Sequence, residues 1–254
     1  MMDGVVKQMN ALRNQGRGNS DRSLQFGAFT LVEMMVVVAI MGLLAGILIP
    51  VIASARNKGH QAACQNNLRQ ISLALELYRA DFQDQFPGPG SKSTYGPQPE
   101  DWIWWQYGRG VTNSAIALYI EGIDPRIVTC PMDREARTMQ GEGILPGDPY
   151  RYSYALTSYD MRNGENPGMA TIITQNREVH PFRMSKILRP EAKLMLVEEA
   201  RETIDDPRWV PEHSITNKVT ERHGRRGNVV FADGHIETVT PGFGFNPTNS
   251  MPGL

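Results

Sequence analysis

Residues 29–52 read FTLVEMMVVVAIMGLLAGILIPVI, 24 residues that are apolar except for Thr30 and Glu33. As a helix rising about 1.5 Å per residue, this run extends roughly 36 Å, enough to cross a hydrocarbon core of about 30 Å. Upstream, residues 1–28 are polar, and Lys7, Arg13, Arg17 and Arg22 outnumber Asp3 and Asp21. A basic flank of this kind predicts a cytoplasmic N-terminus and an exported remainder.

Glu33 constrains the reading further. A carboxylate in the apolar part of a bilayer costs about 2.5–3.5 kcal/mol on insertion scales and is normally paired and functional. No basic residue lies within the same apolar run. A cut between Ala28 and Phe29 would create an α-amine at Phe29, with Glu33 as the fifth residue of the shortened chain. The amine of a neighbouring copy, staggered by about one helical turn, would then neutralise Glu33. Two other readings remain open. A secretory signal would be cut after Ala53-Ser54-Ala55, although the apolar run is longer than the usual 7–15 residues. A plain signal anchor would stay uncut.

The segment Gly27-Ala28-Phe29-Thr30-Leu31-Val32-Glu33 resembles the cleavage and methylation site of type IV prepilins and type II secretion pseudopilins. The resemblance implies that prepilin peptidase cuts before Phe29 and N-methylates it, and that Glu33 pairs with a neighbouring amine during assembly. It also implies a proline near position 22 of the processed chain, where Pro50 falls. Ala28 departs from the glycine usual just before the cut. The partners implied are the peptidase, other pilin or pseudopilin subunits in a homo- or hetero-oligomeric fibre, and the bacterial inner membrane. The chain would cross that membrane once, with its head periplasmic or in an extracellular fibre.

Beyond Pro50, Cys64, Leu68, Ile71, Leu75, Tyr78 and Phe82 recur at spacings of four and three, which places them on one helical stripe. The expected organisation is therefore a cleaved leader at 1–28, a transmembrane half-helix at 29–52, an amphipathic half-helix at 53–85 and a globular head at 86–254. Pro50, lacking an amide hydrogen, should kink or open the helix. Gly42 and Gly46 form a G-x-x-x-G pair that permits close helix approach.

The head begins at Phe86-Pro87-Gly88-Pro89-Gly90 and holds most of the 17 prolines. Trp102, Trp104 and Trp105 would serve as core or, alternatively, as a binding platform. Residues 114–120 read as a short helix. Residues 126–130, 150–158, 194–198, 228–232 and 235–240 read as strands. Asp233-Gly234 signals a two-residue hairpin between the last two. The expected fold is α+β: a long N-terminal helix packed on an antiparallel β-sheet head, as in pilins.

The segments CQNNLRQI (64–71), DWIWWQ (101–106), SAIALYI (114–120), TCPMD (129–133), RPEAKLMLVEE (189–199) and RHGRRGNVVFADGHIE (222–237) resemble a family of large-headed pseudopilin-like proteins. That family carries a C-terminal His-x9-Asp-Gly motif, here His223, Asp233 and Gly234.

Enzymatic signals are weak. Glu221, His223, Asp233 and His235 are crowded in sequence but match no metalloenzyme signature. The more economical reading is that His223 hydrogen-bonds at the hairpin entry while Asp233-Gly234 make the turn. No cofactor is expected. The resemblance to secretion pseudopilins raises a calcium site, with Asp205 and Asp206, or Glu198, Glu199 and Glu202, as candidates. Cys64 and Cys130 are the two cysteines. In an oxidising compartment they are candidates for a disulfide. A net charge of −1 argues against nucleic-acid binding. The fibre-subunit reading competes with a membrane-anchored periplasmic binding protein or enzyme that uses the helix only as a tether.

Overall fold

The computed structural model describes residues 30–90, 98–105, 110–123, 125–133, 152–158, 168–173, 176, 178–204, 206–210 and 217–253. Ala28, Phe29 and Asp205 lie outside them. The chain divides into two compact units between Val51 and Ile52.

The first unit is, among the described residues, the apolar half of helix α1 (Leu31–Asp81). Its N-terminus is closed locally. The Thr30 amide and hydroxyl both donate to Glu33 Oε2, at 2.8 and 2.9 Å, and the Glu33 amide donates to Thr30 Oγ1 at 3.2 Å. This is a capping box, which satisfies two amides that a helix start leaves orphaned. Large apolar side chains along this half are exposed, from Leu31 at 73% to Ile49 at 69%. The helix runs through Pro50 without interruption. The proline still lacks the hydrogen that Gly46 C=O would accept.

In the second unit, α1 lies on one face of a five-stranded sheet. The strands are β1 (Tyr154–Thr157), β4 (Leu194–Glu198), β5 (Arg208–Trp209), β6 (Gly227–Phe231) and β7 (Ile236–Val239), in the order β5-β1-β4-β6-β7. A separate two-stranded ribbon pairs β2 (Ile172–Ile173) with β3 (Val179–His180). The main sheet is mixed, not wholly antiparallel as expected, because β5 pairs parallel with β1. Of the expected strands, 126–130 is absent and forms turns instead. The short helix expected at 114–120 shrinks to a 3-10 turn at Ala117–Tyr119.

Strand alternation divides the core in two. Tyr154, Leu156, Val230 and Ala232 face the helix residues Leu68, Ile71, Ala74 and Leu75. Ala155, Val229, Phe231 and Val239 face away, forming a second core with Trp209, Val219 and Phe243 of the short helix α2 (Pro241–Gly244). A register shift between Leu194 and Leu196 places Met195 and Leu196 together on the helix side. Each fully buried Leu or Ile contributes about 2 kcal/mol. The predicted helical stripe is buried from Cys64 to Tyr78. Phe82 lies past the helix end, 49% exposed, and stacks on Tyr78 at 4.2 Å. Trp102 and Trp105 are core residues. Their indole N–H groups donate to Pro207 O and Gly90 O at 3.0 and 2.7 Å.

Gly227 opens β6 where the backbone passes close to its neighbours. A Cβ there would lie 2.6 Å from Val219 Cγ1 and 2.8 Å from Thr220 O. Gly227→Ala should therefore lose about 1–3 kcal/mol of stability, read as a lowered midpoint in chemical denaturation. An unchanged midpoint would contradict the packing described.

Candidate functional site

The region around His223 is built by a tight turn. His223 N donates to Arg226 O at 3.0 Å and Arg225 N to Glu221 O at 3.1 Å. Gly224 and Arg225 take positive φ of 65° and 67°. The turn directs His223 inward, to the sheet face that carries α1.

There it meets Glu198, the last residue of β4. His223 Nε2 lies 3.0 Å from Glu198 Oε1 and 3.7 Å from Cys130 Sγ. Cys130 stands just before the 3-10 turn Pro131–Asp133, and its amide donates to Ser153 Oγ at 2.8 Å. Cys64 comes from α1. The ligand atoms of Cys64, Cys130, Glu198 and His223 all lie within 4.8 Å of one another, and all four residues are buried. The two cysteines considered for a disulfide stand here as free thiols.

The surroundings fix Glu198 from every side. Arg222 Nη1 donates to Oε1 at 3.1 Å, while the Asn228 amide and side chain donate to Oε2 at 3.1 and 3.0 Å. Arg222 also reaches Asp133, Nη2 to Oδ2 at 2.8 Å, and Arg201 Nε reaches Asp133 Oδ1 at 3.2 Å. Asp133 accepts from Ser153 Oγ at 2.7 Å as well.

Electrostatics follow from this geometry. Burial pushes the Glu198 carboxyl up. The hydrogen bond from His223 and the charge of Arg222 outweigh that and hold it below the usual carboxylate range. Burial pushes His223 down, but its contacts with Cys130 and Glu198 prevail and raise it to about 9. The hydrogen bond with Cys64, then burial, push the Cys130 thiol up.

The other sequence candidates disperse. His223 lies in the turn before β6 and Asp233 in the turn after it, so the five-residue strand separates them. Asp233 Oδ1 accepts from the His235 amide at 3.1 Å and contacts its Nδ1 at 2.6 Å, at an exposed hairpin tip. The crowded group Glu221, His223, Asp233 and His235 is therefore not one site. The hairpin loop holds three residues instead of two. Gly234 N donates to Phe231 O at 2.9 Å, Phe231 N donates to His235 O at 2.9 Å, and only Gly234 has positive φ. Asp206 is buried and accepts from the Arg208 amide at 3.1 Å, with Arg208 Nε 4.0 Å away. Glu198 belongs to the buried cluster. Sequence reasoning missed Glu198 as the partner of His223. It had no way to see that a strand end and a distant turn would meet, although both lie in segments the family resemblance had marked.

Comparison with known proteins adds independent support. Residues 25–49 match a family described as the prokaryotic N-terminal methylation motif. Residues 53–121 match a family described as a protein of unknown function (DUF1559). Neither family match reaches His223 or Asp233-Gly234. Over 84 residues the chain is 32% identical to the type II secretion system core protein G of Pseudomonas aeruginosa. That alignment covers 31% of this chain and 59% of that protein. No solved structure matches. The methylation motif and the likeness to a secretion core protein support a type IV pilin or pseudopilin, and the long helix with its mixed-sheet head fits an α+β pilin-like fold.

Proposed function

We propose that this chain is a structural, non-enzymatic subunit of a type II secretion or type IV pilus-like fibre. Prepilin peptidase would cut it between Ala28 and Phe29, and it would be held in the inner membrane by the apolar half of α1 before assembly. The observation that carries the reading is the joining of a methylation motif at 25–49 to an apolar helix with one acidic residue, Glu33, near its start. An apolar surface of that extent is untenable in water, so lipid or the helices of other subunits must cover it. The large head suits a minor subunit, because bulky heads pack less readily into a uniform helical array.

Mass spectrometry of the N-terminal peptide from membrane-extracted protein tests this directly. The expected peptide begins at Phe29 and carries one N-methyl group. An intact leader, or a start at Arg56 after Ala55, would instead favour a tethered periplasmic protein.

A further inference from the structure

We propose that Cys64, Cys130, Glu198 and His223 form a structural zinc site that locks the head together. The proposal does not depend on fibre assembly.

The donor set and its geometry carry it. Two sulfurs, an imidazole nitrogen and a carboxylate oxygen converge from four separate segments, with all ligand atoms within 4.8 Å of one another. Tetrahedral zinc with ordinary Zn–S, Zn–N and Zn–O lengths sets its donors roughly 3.4–3.8 Å apart. The Cys130 Sγ to His223 Nε2 separation of 3.7 Å falls in that range, and the Glu198 Oε1 contact of 3.0 Å needs only a small opening. Thiolates select a soft or borderline ion over calcium or magnesium, and four protein donors close the coordination shell as structural zinc sites do.

The surroundings are prepared for such an ion. Glu198 is oriented by Asn228 through Oε2, and Oε1 has lone pairs for both the metal and Arg222. With both thiols deprotonated, the two thiolates, Glu198 and Asp133 bring four negative charges. Zn²⁺, Arg222 and Arg201 balance them, and the displaced protons pass to solvent. The ion would join α1, the turn before Pro131, the end of β4 and the turn before β6. It would also give the histidine of the His-x9-Asp-Gly motif a role separate from the hairpin turn.

The test uses the full chain, extracted from membranes in mild detergent. Elemental analysis should find about one zinc per chain, with both thiols unreactive until a chelator is added. The reduced, metal-stripped chain titrated with Co²⁺ should develop visible tetrahedral bands and near-ultraviolet thiolate-to-cobalt charge transfer, both abolished by added zinc. His223→Ala and Cys130→Ser should weaken cobalt binding at least about tenfold. His235→Ala, at the exposed hairpin tip, should not. A metal-free chain lighter by two hydrogens, with no free thiol, would overturn the proposal in favour of a Cys64–Cys130 disulfide. So would a reduced chain whose cobalt spectrum lacks sulfur charge transfer. The titration of the parent chain decides even if a variant fails to fold.

Discussion

Glu198→Ala is expected to destabilise the head by about 3–5 kcal/mol. The carboxylate is fully buried and accepts from Arg222, His223 and two Asn228 groups. Truncation removes one carboxylate from a largely buried guanidinium that also pairs with Asp133, and strands the Asn228 donors. Glu198→Gln keeps the shape and one acceptor oxygen, so it should lose less. Denaturation of the detergent-extracted chain, followed by near-ultraviolet circular dichroism, measures both. A Glu198→Ala midpoint matching that of the parent would mean the cluster contributes no net stability.

Glu33→Gln is the second variant with a large expected effect, and its readout is assembly. The capping box assigns Glu33 a local task, because its carboxylate accepts from Thr30. A glutamine can perform that task too. What glutamine lacks is the charge that a neighbouring α-amine would meet. Glu33→Gln should therefore insert normally and retain its helix start, yet enter fibres at a small fraction of the parent level. Glu33→Val should insert more readily by about 2.5–3.5 kcal/mol, and assemble no better. Parent-like incorporation of Glu33→Gln in a fibre-shearing assay would assign the residue to helix capping alone.

These two carboxylates also mark how much of the molecule was legible beforehand. Glu33 stood out because an anion in an apolar run has few physical excuses. Even so, Thr30-x-x-Glu33 was read for its charge, and its capping geometry was passed over. The helical stripe from Cys64 to Tyr78 was legible because a period near 3.6 survives any tertiary context. Strand β4 was legible from its short apolar run, and β6 and β7 from their β-branched residues. β5 was not, since two residues, Arg208 and Trp209, carry no period at all. Its parallel pairing with β1 depends on how the chain returns through space. Residues 126–130 had strand composition but fold as turns, with Val128 O accepting from Ser153 N, and Val128 and Cys130 are buried in the core. Glu198 was read as a calcium-site candidate. Only the register of β4 against β6 shows that it points inward beside Asn228.

Strand β6 works as a ruler between the two halves of the His-x9-Asp-Gly motif. The turn before it carries the residue that must reach the interior, and the turn after it carries the residue that must reverse the chain. Adding a single amino acid within β6 would turn the residues on one side of the insertion to the opposite face of the sheet. The interval of nine is thus a length cut by the pleat, and insertions there should be tolerated only in pairs, if at all.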